Sequence, residues 1–145
     1  KWNIMNHMDI KLQVGVKAFL KNKDGKFLLL KRSRTKYPTI AGLWDIVGGR
    51  IDPGTPLFEN LKREVMEESQ LELIEEPKLL DAVDILRVPG LHVVRLTYVG
   101  KVNGDPVVDT EEIEEYRWLT IEEMKQMDDL DMYTKQLLDK GVSIE

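Results

Sequence analysis

The sequence predicts an α+β fold, a mixed β-sheet with helices packed against it, and three observations predict it. Apolar residues alternate strictly from Leu12 to Leu20. An amphipathic helix follows between Thr55 and Gln70. Strand-like segments recur on both sides of that helix, and two short helices close the chain.

The first strand is read from Leu12, Val14, Val16, Ala18 and Leu20, which repeat with the two-residue period of a half-buried strand. Asn22-Lys23-Asp24-Gly25 supplies turn residues that tolerate positive φ, so Phe27 to Leu30 is the return strand of a hairpin. Lys31 to Leu43 is a loop that is basic at first and contains Pro38 and Gly42. Trp44 to Val47 is a short strand ending in Gly48-Gly49. Thr55 is expected to cap the next helix, with Pro56 in its first position, and the helix runs to about Gln70. Strands over Lys78 to Val88 and Leu91 to Val99 flank a Pro89-Gly90 turn, and Gly100 to Thr110 is a polar loop. Tyr116 to Leu119 is a strand. Thr120 and Glu123 form a capping box for a helix from Ile121 to Met127, and a last helix covers Leu130 to Lys140.

Composition limits the function. The 145 residues carry a formal net charge of −5, which disfavours a protein that grips nucleic acid through its phosphates. There is no cysteine, so disulfides, thiolate nucleophiles and Cys-based zinc sites are excluded together. The two histidines, His7 and His92, are too few for a His-based metal site. No apolar run approaches the length of a membrane span. Residues 1 to 8 lack the apolar core of a signal peptide and are expected to be a flexible N-terminal extension or an expression remnant. Residues 9–145 are expected to form a single domain. A cytoplasmic location is the expectation, and a homodimer is compatible with the sequence.

The chemistry concentrates between Gly48 and Leu71. On a helical wheel Leu57, Phe58, Leu61 and Val65 share one stripe. Glu68 falls inside that stripe, Glu64 at its edge, and Glu67 just beyond. The outward side is taken by Glu59, Lys62, Arg63 and Gln70 instead. Carboxylates bordering a core repel one another and lose hydration, so they take up protons unless a cation neutralises them. A hard divalent ion with oxygen ligands is the natural solution, and the pattern points to magnesium or manganese. The glycine pair, which lets backbone approach a ligand closely, precedes this helix at short range.

These residues resemble the Nudix box. Gly49 matches its first glycine, Arg63-Glu64-Val65-Met66-Glu67-Glu68 matches its core, and Leu71 matches its final aliphatic position. Thr55 stands where the family has Glu, and Gln70 where it has Gly. The hairpin before the box, the WDIVGG segment and the EEIEEYRWLTIEEM segment resemble the family as well. The resemblance implies an α/β/α sandwich with a Nudix-like mixed sheet. It implies that Glu64, Glu67 and Glu68 hold Mg2+ (or Mn2+), with the Gly49 carbonyl as a further ligand, and that Arg63 orients the carboxylates. With Thr55 unable to form an ion pair, another acid such as Asp52 would have to support Arg63.

The reaction the resemblance implies is attack of water on phosphorus, cleaving the diphosphate linkage of a nucleoside diphosphate joined to another moiety. Glu67 or Glu68 would take the proton, or a glutamate outside the box, for which Glu112 best fits the family pattern within an acidic run from Glu111 to Glu115. Arg32, Arg34 and Arg50 are candidates to bind substrate phosphates. Trp44 and Trp118 are expected in the core, and His92 is expected to be structural. The implied partner is a small-molecule nucleotide, with no stable nucleic-acid or membrane binding. A non-catalytic Nudix-fold nucleotide-binding or regulatory module is the alternative, against which the intact Glu64, Glu67 and Glu68 argue.

Overall fold

The computed structural model describes residues 9–145. The expected extension over residues 1–8 lies outside the described residues. The elements are β1 (Lys11–Lys21), β2 (Phe27–Arg32), β3 (Trp44–Asp45), β4 (Val47–Arg50), α1 (Leu57–Ser69), β5 (Lys78–Ile85), β6 (Leu91–Lys101), β7 (Ile113–Leu119), α2 (Ile121–Lys125) and α3 (Met132–Asp139).

The alternation that predicts β1 also explains its burial, since it supplies side chains to both sheet faces. The Asn22 side chain closes the hairpin to β2 by accepting from the Asp24 and Lys26 amides at 3.0 and 2.9 Å. Gly25 takes the positive φ this turn requires. Among the described residues seven strands form one mixed sheet in the order β3-β2-β1-β6-β5, with β4 paired to β1 and β7 to β2. β1 runs parallel to β6 along its whole length, from Lys11 opposite Leu91 to Lys21 opposite Lys101. It is antiparallel to β4, from Gly15 opposite Arg50 to Ala18 opposite Val47, and meets β2 only at Lys21 and Phe27. Among the described residues β4 pairs with β1 alone, and its Gly48 amide faces α1.

Two cores lie on the two faces of the sheet. Val16, Ala18 and Leu20 of β1 pack with Leu61 and Val65 of α1. Phe19 packs with Phe27, Leu29, Met124, Leu137 and Leu138, joining α2 and α3 to the other face. The rings of Phe19 and Phe27 meet edge to face at 5.9 Å. The result is the expected sandwich of helices around a mixed sheet. No helix among the described residues is long and apolar enough to cross a membrane.

Several boundaries differ from the expectation. The strand over Trp44 to Val47 is split at Ile46, and Gly48 and Gly49 lie within β4 rather than after it. Pro56, not Thr55, is the N-cap of α1, and it offers no capping side chain. Asn60 organises this helix start instead. Its fully buried amide donates to the Thr55 and Pro56 carbonyls and accepts from the Asp52 amide at 2.8 Å. Leu57 and Phe58 are exposed, so the buried face of α1 is centred on Asn60, Leu61, Val65 and Ser69. β6 extends through Gly100 and Lys101 into the segment expected to be loop. The Thr120–Glu123 capping box forms as expected, and Asp131 caps α3.

Candidate active site

The side of β4 away from β1 receives Glu68 of α1. Glu68 Oε1 accepts from the Gly48 amide at 2.7 Å. Glu64 lies one turn earlier, its side chain only 12% exposed, against Gly49. A Cβ built on Gly49 would sit 2.5 Å from Glu64 Oε2 and 2.8 Å from Oε1. Glycine at 49 is what lets this carboxylate reach the strand. Burial raises the Glu68 pKa above the usual carboxylate range. The Lys17 charge and the Gly48 amide oppose the rise, while Glu64 and Asp45 add to it.

Arg63 gathers the neighbouring groups. Its Nη1 donates to Glu64 Oε1 at 2.8 Å and more loosely to both Glu67 oxygens at 3.4 Å. Its Nη2 donates to the Arg50 carbonyl at 3.2 Å and to Asn60 Oδ1 at 3.1 Å. Its Nε lies 3.3 Å from Asp52 Oδ2. Asp52 is thus paired with Arg63, while Thr55 is exposed in the loop before α1. Glu67 is exposed and turned toward Arg63.

This donor set fits a divalent cation. Two carboxylates one helical turn apart converge on a glycine strand, one of them buried and resisting ionisation. The Gly49 carbonyl, expected as a further ligand, instead faces β1, 3.8 Å from where a Cβ on Gly15 would sit. The fit rests on Glu64 and Glu68. Among the described residues no three acidic or histidine side chains are grouped closely enough to enclose an ion; Glu67 is turned to Arg63, and Glu112 to Lys36 and Tyr37.

Glu112 is committed elsewhere. Its carboxylate pairs with Lys36 Nζ and accepts from Tyr37 Oη at 2.9 Å, and these two bonds hold its pKa below the usual range. Its carbonyl accepts from the Ser33 amide at 2.8 Å, and Glu114 accepts from the Arg34 amide at the same distance. The two glutamates thereby fasten the loop that follows β2.

That loop forms one wall of a cavity of about 790 Å³, within the size range of small-molecule sites. Gly48, Gly49 and Arg50 line it at the β4 edge, Arg32 lines it at the end of β2, and Arg87 and Val88 line it on the β5–β6 turn. Glu64 and Glu68 are not among its walls. They reach the same glycine pair from the α1 side, so the cavity and the carboxylates meet at β4. Arg50 contacts Gln13, and Arg32 lies over the Tyr37 ring. Arg34 does not face the cavity. Its guanidinium donates to the Pro38 and Ile40 carbonyls and lies 3.7 Å from Asp129.

An ionic cluster that no motif of the sequence marks brings Lys17, Asp45 and Arg95 to the cavity lining. Lys17 Nζ lies 2.9 Å from Asp45 Oδ2. Arg95 donates to Thr134 Oγ1 at 2.9 Å and to Asp131 at 3.2 Å, and Thr134 donates to Asp45 Oδ1 at 2.8 Å. Lys17, Asp45, Arg95 and Thr134 are all buried. Burial alone would raise the Asp45 pKa, but the charges of Lys17 and Arg95 outweigh it and hold the carboxyl below its usual range. The available signal was a lysine and an arginine placed within otherwise apolar strands. Trp44 is buried as expected, Trp118 is half-buried with its indole donating to Asp105, and His92 pairs with Asp84 at 2.7 Å.

The model of the NUDIX domain matches residues 11–140. Among solved structures, the chain is similar to a MutT protein from Methanosarcina mazei Go1, at 26% identity and a TM-score of 0.76, over 92% of this chain and 95% of that one. It is also similar to a MutT NUDIX hydrolase from Burkholderia pseudomallei, at 31% identity and a TM-score of 0.72, over 89% and 97% of the two chains. No curated protein matches the chain.

Proposed function

Since this chain belongs to the NUDIX domain family and is a hydrolase of pyrophosphate bonds, we propose that its substrate is a nucleoside diphosphate linked to another moiety, and that Glu64 and Glu68 hold the magnesium or manganese ion it works with. The observation that carries this reading is the convergence of both carboxylates on Gly48-Gly49, the strand that also borders the cavity. Residues 9–145 would act as one such domain.

A bound divalent ion supplies charge stabilisation for the phosphoryl oxygens and lowers the pKa of water. The protein's own groups do the rest. Glu64 and Glu68 would hold the ion. Arg63 keeps Glu64 oriented through its 2.8 Å bond and ties it to Asp52 and the Arg50 carbonyl. Glu67, exposed and held to Arg63 by two long bonds, would be the proton acceptor. Arg50 and Arg32 face the cavity and would neutralise substrate phosphates, whereas Arg34 and Glu112 shape the loop that bounds it.

The test is hydrolysis of a panel of nucleoside triphosphates, nucleotide sugars, dinucleotides and ADP-ribose in isotopically labelled water, with magnesium and with excess chelator. Cleavage of a diphosphate, with label on a phosphate product and loss of turnover in chelator, is the expected result. Full turnover in chelator would sink the metal assignment. Absence of diphosphate cleavage across the panel would sink the substrate assignment.

A further inference from the structure

Lys17 is a buried cation in the middle of a strand, and the hydrolytic scheme above does not use it. In the register of β1 and β4 it stands opposite Gly48. The contact is close: a Cβ on Gly48 would sit 2.7 Å from Lys17 Cα and 2.8 Å from its Cδ. Gly48 has φ of +147°, so its peptide has a conformation that L side chains rarely adopt. The Lys17 stem lies over that peptide, and Asp45 anchors the ammonium at 2.9 Å. The amide so held is the one that donates to Glu68 at 2.7 Å.

We propose that Lys17 is a positioning residue: anchored by Asp45, it fixes the Gly48 peptide, and that peptide aims the Glu68 carboxylate. A helix side chain with several rotatable bonds needs such a support to hold a ligand geometry, and groups of this kind commonly change metal affinity when removed. Asp45 and Lys17 thus connect the cavity floor to the carboxylate edge. Arg95 shares the same acid and the same burial but lies on β6, without contact to Gly48. The inference rests on the ion-holding role proposed for Glu68.

Magnesium titration calorimetry on Lys17→Met separates geometry from charge. Methionine keeps the stem length and removes the ammonium. By charge alone, loss of a nearby cation strengthens binding of a divalent cation. By positioning, affinity falls about tenfold or more, and the Gly48 amide loses hydrogen-exchange protection even without metal. Arg95→Met should lower the melting temperature while leaving magnesium affinity unchanged. Equal or tighter magnesium binding by Lys17→Met, with Gly48 protection intact, overturns the proposal. If that variant does not fold, Lys17→Met/Asp45→Asn removes both charges and leaves net charge unchanged. It should show the same weakened affinity, and wild-type affinity there also overturns the proposal. If the wild-type chain binds no magnesium, the metal assignment fails, and the exchange rate of the Gly48 amide in the variant still decides the role of Lys17.

Discussion

The carboxylate of Glu64 rests directly on the backbone of Gly49, in space that any Cβ at that position would need. The two adjacent glycines of β4 are therefore required for different reasons. Gly48 has an unusual φ and a neighbouring backbone carbonyl, that of Val16, where a Cβ would go. Gly49 meets only the end of a side chain.

The two alanine variants should accordingly differ. Gly49→Ala can push Glu64 aside, so it should fold with nearly normal stability and lose magnesium affinity and turnover. Gly48→Ala meets backbone in a strained conformation and should lose roughly 1–3 kcal/mol of stability. Thermal melts and magnesium titrations of both proteins check this, and equal behaviour would show that the glycines do not have these separate roles.

Glu68→Gln keeps the acceptor for the Gly48 amide and removes one buried charge. Turnover should fall by about two to four orders of magnitude, on the scale of lost catalytic acid–base groups. Stability without metal should hold or rise. Because the folded pKa of Glu68 is raised, its favourable contribution is fully present below the unfolded carboxylate value and is lost as pH rises through the folded one. The stability advantage of the variant should therefore grow with pH across that window and vanish below it. An earlier melt with normal turnover would remove Glu68 from the active site.

Asp52→Asn tests the support of Arg63. The pair is largely exposed, so its loss should change stability by less than about 1 kcal/mol. Turnover should fall several-fold, since Arg63 also holds Glu64. Adding Thr55→Glu should restore part of the rate if an acid at 55 can replace the one at 52. Steady-state kinetics of the single and double variants decide this.

Glu112→Gln separates a loop fastener from a proton acceptor. Its carboxylate is bound to Lys36 and Tyr37, in the loop whose later residues Thr39 to Gly42 line the cavity. The expected result is a raised KM with kcat within about tenfold, below the usual cost of a lost general base. A fall in kcat of a thousandfold at unchanged KM would return Glu112 to the chemistry.

The elements legible in the sequence were those specified locally. The alternation in β1, the Asn22–Gly25 turn and the Thr120–Glu123 box each depend on residues close together in the chain. The acidic helix was legible because Glu64 and Glu68 stand where a solvated face would not put them. The start of α1 departs from the expectation because apolar character there does not mark burial. Asn60 and Ser69 are fully buried with their hydrogen bonds satisfied by nearby backbone groups and, for Asn60, by the Arg63 guanidinium, while Leu57 and Phe58 remain outside. Gln70 takes the left-handed conformation at φ of 58° that the family's glycine would adopt without strain. The Lys17–Asp45–Arg95–Thr134 cluster was hidden because its members come from four elements. Their partnership exists only once the sheet has brought β1, β3, β6 and α3 together.

β1 contributes Val16, Ala18 and Leu20 to one core and Phe19 to the other, so the two hydrophobic layers share one strand as a common wall. Neither layer can open without stripping the other of part of its burial. Melting should therefore be a single cooperative transition, with α1 unable to detach while the opposite layer survives. A cavity-forming substitution beneath α3, on the sheet face opposite α1, would then lower the temperature at which α1 is lost. Thermal tolerance of the activity is a property of the whole sandwich, not of its active edge.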